Sequence, residues 1–491
     1  MRKLSRAAPA VLAAHFAMMP LSEPMLKSNI TNPPELTSMA HASRKQESGR
    51  LESVPSRTDV QAARLAEMRR ALADPDPRVR EAAAREFRSV RDGSAVLPLR
   101  RLLSDADSGV RIAASEALYN NGVRDGIGVL AGILGSGTPA ERARAAAALG
   151  RIGESEAVPP LVAAAGTGDA RVRLEAVQSL GMIGDSRAAG TLAGIMRHSG
   201  GALRRAAIRA LGQMGTRDAE IERDLSRLLS SSDVTTRIAA ANALRLCGGM
   251  GAVPGLIEAF DFSQRGSDPD QPGTDSPAAY GLRNEAVAAV VEISRREPAV
   301  IDALIRALGD RRENVRMNAA KALGRIGDVR AVPGLIDIVS RDGDEYARMA
   351  AAEALGNIGD VRALPALIDR VSGRGGSETG WRSIAAAAEA LGRLRDGSAA
   401  PALRAALASE SEVVRMAAAT SLGILGDRPS VPALGRVLAS DTYPSLRAAA
   451  ALALGRIGGR EAEAELRGSS DSNRSVRTAV ERALSLARGR R

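Results

Sequence analysis

Two glycines three residues apart beside an arginine could cradle a phosphate. The stretch ALGRIG offers that pattern three times, at Ala148–Gly153, Ala322–Gly327 and Ala453–Gly458. A phosphate loop normally occurs once, between a strand and a helix, so that backbone amides converge on the anion. Here the pattern recurs with no strand-like stretch before it. It points away from a nucleotide site and towards a structural use of the glycines. Other chemistry is sparse. Cys247 is the single cysteine, so no internal disulfide can form. Most of its equivalents elsewhere in the chain are Ile or Met, such as Ile152, Met214 and Ile326, so it reads as a small core residue. His15 and His41 lie in the N-terminal stretch, and any Ser–His–Asp triad or histidine metal site would rest on His198 alone. Asp268, Asp270 and Asp275 suggest calcium, but the loop spacing and terminal Glu of a calcium loop are missing. No catalytic, cofactor-binding or metal-binding set is assigned.

What positions these residues follows from composition. Of 491 residues, 45% are apolar but only 2% aromatic. A core of Ala, Leu, Val and Ile suits closely packed helices. Lys and Arg exceed Asp and Glu by 68 to 57. Much of the excess sits at the ends: residues 1–58 carry eight Lys or Arg against four Glu, and the chain finishes with Arg488, Arg490 and Arg491. The middle is close to neutral, so a nucleic-acid partner, which needs a basic stripe, is not expected. No apolar run is long enough for a membrane span. Met1–Arg6 followed by Ala7–Met19 is similar to a secretory signal, although Pro9 and His15 interrupt it. A cytoplasmic location is the first expectation and export the alternative. Residues 1–58 read as a disordered tail and 488–491 as a basic end.

Between them lies a repeat. Taking the Leu of ALGRIG as anchor, equivalents fall at Phe87, Leu118, Leu149, Leu180, Leu211, Leu244, Val290, Leu323, Leu355, Leu391, Leu422, Leu454 and Leu484, with a period near 31. Seven residues before the anchor, Arg stands in twelve of thirteen units; Ile384 alone departs. Each unit reads as two helices. Val315, Ala319, Leu323 and Ile326 lie on one helical face, Gly327 ends that helix, and Pro333 opens the next. Val332, Leu335, Ile336 and Val339 give the second helix its apolar stripe.

The pattern D…VR..AA.ALG.IGD..AVP.L resembles HEAT-like repeats of the phycobilisome-lyase type, over residues 59–487. The resemblance implies an all-α solenoid, a right-handed superhelix of about thirteen helical hairpins, with the VR helix on the inner, concave side. It also implies a ladder between neighbouring units from Asp74, Asp105, Asp310, Asp342, Asp441 and Asp471 with Arg80, Arg111, Arg316, Arg348, Arg447 and Arg477. The Asp is also placed to cap the inner helix. Between Asp105 and Asp310 the Asp position holds Ser136, Thr167, His198, Ser231 and Pro277, and a more pliable middle is expected there. Deoxyhypusine hydroxylase, of the same repeat class, binds iron through His-Glu pairs; this chain has no His-Glu dipeptide. Phycobilin lyases share the repeat and handle open-chain tetrapyrroles, but no distinctive active-site residue maps here.

Two units carry insertions, near 261–281 and 372–381, both at the turn between outer and inner helices. Insertions on one face of a repeat array often mark its binding face. Phe260, Phe262, Tyr280, Tyr346, Trp381 and Tyr443 gather at the same turns. They read either as staples packing over helix starts or as anchors for a partner. The expected function is a non-enzymatic scaffold binding a protein or peptide partner through the concave face and the loop-bearing edge, with no cofactor. The alternative, implied by the resemblance alone, is a phycobilin-lyase-like protein that handles tetrapyrroles.

Overall fold

The computed structural model describes residues 57–166, 168–263, 276–373 and 380–488. The chain divides after Val60, and the architecture described here is that of the unit beginning at Gln61. Among the described residues there are twenty-six α-helices, short 3-10 turns and no strand. We number the helices in chain order from α1 (Arg57–Ala71) to α26 (Arg474–Arg488). They pair into thirteen hairpins, each an odd-numbered helix followed by an even-numbered one, and the chain is an all-α solenoid.

The local chemistry of one repeat explains the rest. In α16 (Glu313–Ile326), Val315, Ala319 and Leu323 are fully buried on one face. Gly327 then turns left-handed at φ 80°, and its N–H donates to the Leu323 carbonyl at 2.9 Å. Asp328 caps the following 3-10 turn by accepting from the Arg330 N–H at 2.9 Å. Pro333 sits in the first turn of α17 (Val332–Arg341), where a missing N–H costs nothing. Val332, Leu335, Ile338 and Val339 are buried on α17. Ile338 joins that stripe, and the expected Ile336 packs half-buried against the core beside it. Full burial of each anchor Leu contributes about 1.5–3 kcal/mol.

The first glycine of ALGRIG has a different task from the second. A Cβ on Gly324 would lie 2.7 Å from Cα of Ala354 in α18 (Glu345–Ile358), closer than side chains tolerate. The same contact recurs as Gly356 on Ala390, Gly423 on Ala453 and Gly455 on Ala483, at 2.8, 2.7 and 2.6 Å. Successive even helices therefore approach backbone to backbone. Successive odd helices touch far less, so the even layer is the more tightly spaced. Most of the core is one continuous cluster running from Ile112 to Ala483. The first hairpins bury a smaller cluster of their own, from Met68 to Leu118.

Candidate interaction surface

The insertions precede α14 (Pro277–Ser294) and α20 (Trp381–Leu394), on the edge where each odd helix hands over to an even one. Residues 264–275, with the calcium candidates Asp268, Asp270 and Asp275, and residues 374–379 lie outside the described residues, as does the N-terminal tail to residue 56. Among the described residues no group of three or more His, Cys, Asp or Glu is placed to hold a metal.

The aromatics fall into two sets. Tyr280 in α14, Tyr346 in α18 and Tyr443 at the start of α24 (Pro444–Ile457) are 53%, 47% and 45% exposed. Trp381 and Phe262 are half-buried against the core. Phe260 departs from the sequence expectation: it is fully buried, and its carbonyl accepts from Asn318 Nδ2 at 3.1 Å. A short 3-10 turn at Ala259–Asp261 rotates it inward, so it belongs to the core and not to the surface.

Each exposed ring lies under a guanidinium. Arg283 is 4.8 Å from the Tyr280 ring centre, Arg415 is 5.9 Å from Tyr443, and Arg237 is 4.4 Å from Phe262. Arg382 serves two rings, Tyr346 at 5.3 Å and Trp381 at 4.3 Å. Its backbone N–H donates to Glu345 Oε1 at 2.8 Å and its Nη1 to Oε2 at 3.5 Å. Such contacts contribute about 0.5–1 kcal/mol each at exposed sites, enough to hold a ring in one orientation. Sequence reasoning missed Arg382, because it stands one residue after Trp381 and outside the Arg column. Its only local signal was adjacency to an aromatic.

The Arg column itself runs just behind this edge. Arg80 grips Asp105 of the next unit with two bonds, Nε to Oδ2 at 2.8 Å and Nη2 to Oδ1 at 3.0 Å. Its Nη1 donates to the Asp74 carbonyl of its own unit at 2.7 Å. Arg316 does the same with Asp342 at 2.6 and 2.8 Å and with the Asp310 carbonyl at 2.9 Å. Arg447 pairs with Asp471 at 2.6 and 3.1 Å, and Arg415 with Asp441 at 3.1 and 3.3 Å. Arg111, Arg348 and Arg477 donate to the carbonyls of Asp105, Asp342 and Asp471. Asp310 differs: its carboxylate binds Arg312 two residues on, which holds its pKa down at about 2. Hydrogen bonds from Arg80 and Arg447 likewise lower the Asp105 and Asp471 carboxyls.

The ladder Asp does not cap the even helix directly. Asp105 and Asp342 accept from the N–H groups of Asp107 and Asp344, both at 2.9 Å, and it is Asp107 and Asp344 that occupy the cap. The ladder residue folds the turn that delivers the cap. Where the Asp position is empty, the arginine turns to the end of its own outer helix. Nε of Arg142, Arg173 and Arg204 donates to the carbonyls of Leu134, Ala165 and Met196 at 2.8, 3.3 and 3.1 Å.

The remaining reactive candidates are Cys247 and His198. Cys247 is buried, its Sγ donates to the Ala243 carbonyl at 3.2 Å, and burial pushes its pKa up to about 11. His198 is the exposed last residue of an outer helix.

Short paired helices stacked in chain order define the α-solenoids. A family model for HEAT repeats matches residues 65–141, 127–201, 195–265, 276–347, 330–375 and 381–450, and the chain is a HEAT-repeat protein. That match does not distinguish the phycobilisome-lyase type. A search of curated proteins finds no match. Among solved structures, the chain is similar to Kap121p bound to Nup53p, with TM-score 0.61, 15% identity, and 88% of this chain and 54% of that one covered. Kap121p bound to Pho4p gives 0.60, 15%, 89% and 54%. The karyopherin Kap121p bound to the extreme C-terminus of the protein phosphatase Cdc14p gives the same four values. This chain thus spans about half the length of the solved proteins it matches. At this identity the likeness establishes the fold. Among the described residues no helix is long and apolar enough to cross a membrane.

Proposed function

We propose that the protein is a non-enzymatic scaffold that binds a protein or peptide partner through the loop-bearing edge and the concave face of its solenoid. The observation that carries this reading is the set of half-exposed tyrosines, Tyr280, Tyr346 and Tyr443, each held under an arginine on the edge that bears the insertions. Tyr and Arg are the residue types that concentrate binding energy at interfaces. Rings already fixed in place lose little freedom on binding. Trp381 shares Arg382 with Tyr346, and Phe262 lies under Arg237. The tighter spacing of the even helices supports their layer as the concave side, as in a stack that curves towards its shorter layer. The similarity to a karyopherin solved with short partners, such as the extreme C-terminus of Cdc14p, is consistent with this use of the fold.

Affinity capture from the native host tests the reading. One bait is residues 59–491, a second lacks 263–277 and 373–379, and a third carries Tyr280→Ser, Tyr346→Ser and Tyr443→Ser. A protein held by the first bait and lost by the other two is the expected result. A partner retained by all three would move the site off this edge. A bound visible pigment would favour the tetrapyrrole-handling alternative.

A further inference from the structure

The tight Gly–Ala contact between even helices lapses at a few units, and two clefts open at such places. In the first two repeats the glycine position is held by Arg88 and Tyr119, and in the sixth by Arg245. A cleft of about 520 Å³ lies beside Arg88 and Tyr119, and one of about 390 Å³ beside Arg245. The larger is lined only by the last turns of α2 (Pro77–Glu86), α4 (Ser108–Asn120) and α6 (Pro139–Ile152) and the residues just after them. It belongs to the even layer and lies at the opposite end of those helices from the tyrosine edge.

Its charge is one-sided. Arg85, Arg88, Arg91 and Arg151 line it, against Glu116 alone. Glu116 is buried and holds Arg151 Nε at 2.6 Å and Arg88 Nη1 at 3.1 Å, fixing both guanidinium groups as a floor. Arg144 lines an adjoining pocket and shares Glu81 with Arg85. Five arginines against two glutamates leave 5 − 2 = +3. Arg91 is exposed and makes no ion pair among the described residues.

We propose that this cleft binds an extended, acidic segment of a partner protein, its carboxylates pairing with Arg91, Arg85 and Arg151. This rests on the scaffold reading and gives the concave face a ligand chemistry. Guanidinium forks match carboxylates with paired hydrogen bonds. A phosphate or nucleotide fits less well, because no helix N-terminus at the cleft offers the converging amide donors such a group uses. A nucleic-acid strand fits less well too. The one aromatic, Tyr119, donates its hydroxyl to Glu154 at 2.9 Å, and the cleft offers no run of rings on which bases could stack. The next unit along the layer presents Met182, 55% exposed, in the position equivalent to Arg151. Packed helix axes lie about 8–10 Å apart and an extended chain rises about 3.3 Å per residue. The segment should therefore place an apolar residue about three positions from its carboxylates.

Fluorescence anisotropy of the full chain with labelled hexaglutamate, hexalysine and an oligothymidylate of equal length tests this. Hexaglutamate should bind, hexalysine should not, and added salt should weaken the complex. Arg91→Glu should weaken binding about tenfold, the scale of one charge-assisted contact. Arg91→Lys should restore most of it, and Tyr346→Ser should leave it unchanged. Failure to bind hexaglutamate, binding unmoved by Arg91→Glu, or tighter binding of oligothymidylate would each overturn the proposal. A captured partner that still depends on the tyrosine edge would then leave the scaffold reading standing alone.

Discussion

Arg316 and Asp342 show how much a single ladder pair contributes. Their side chains are 17% and 3% exposed, and the guanidinium also closes the turn of its own unit through the Asp310 carbonyl. Asp342→Ala would leave a desolvated cation with half its partners. We expect a loss of about 3 kcal/mol in denaturant titration, against little change for an exposed pair such as Arg341–Asp337. The depressed carboxyls set a pH dependence. Asp105, Asp310 and Asp471 have folded pKa values below the ordinary value of about 3.9. Their contribution is therefore complete above that value and is lost as pH falls through the folded ones. The melting temperature should drop between about pH 4 and pH 2, and Asp471→Asn should flatten part of that drop; a curve flat to pH 2.5 would contradict it. Cys247 gives a converse test. With its thiol raised to about 11 and buried, it should react with a thiol reagent at pH 8 only after unfolding.

At the scale of the helix, the two glycines of ALGRIG separate cleanly by substitution. Gly324→Ala pushes a methyl into the Ala354 backbone, and overpacking of that kind costs about 1–3 kcal/mol. Gly327→Ala meets nothing within 4 Å and strains only a left-handed backbone, costing about 1 kcal/mol. Gly327→Asn should recover most of that, whereas Gly324→Asn should be worse than Gly324→Ala. Equal losses at both positions would contradict the assignment. The hairpins, their glycine stops and the Arg column could all be read from the sequence, because a feature repeated thirteen times is visible as periodicity. What escaped was the exceptional. Phe260 turns inward because a short 3-10 turn follows α13 (Val253–Glu258), and no repeat column records that. The arginine cleft depends on Arg88 and Tyr119 standing where glycine is usual. In sequence these are two small departures, while in space they part three helices.

Across the whole solenoid, cohesion should follow the same columns. From α16 onward the Gly position is unbroken through Gly324, Gly356, Gly392, Gly423 and Gly455. Three two-bonded ladder pairs, Arg316–Asp342, Arg415–Asp441 and Arg447–Asp471, lie in that block. Before it, Arg245 and Val291 replace glycine in consecutive units, and α14 packs less closely on α16 than the other even neighbours in the later block pack on each other. From Arg111 through Arg237 no Arg-column ion pair with a next-unit Asp is present among the described residues. A few single contacts bridge the α14–α16 step: Arg312 reaches Glu258 at 2.7 Å and Asn318 reaches the Phe260 carbonyl. In a stack where each repeat touches only its neighbours, stability is a sum of such interfaces, and the weak ones, here α4–α6 and α14–α16, divide the unfolding. We expect denaturation in more than one step, with amide exchange slowest from α16 to α24 and faster from α6 to α14. Limited proteolysis in native buffer should release a fragment beginning near residue 295, just after α14, and extending to the C-terminal helices. One cooperative transition, with uniform exchange along the chain, would mean that the continuous apolar core outweighs the missing contacts at these joints.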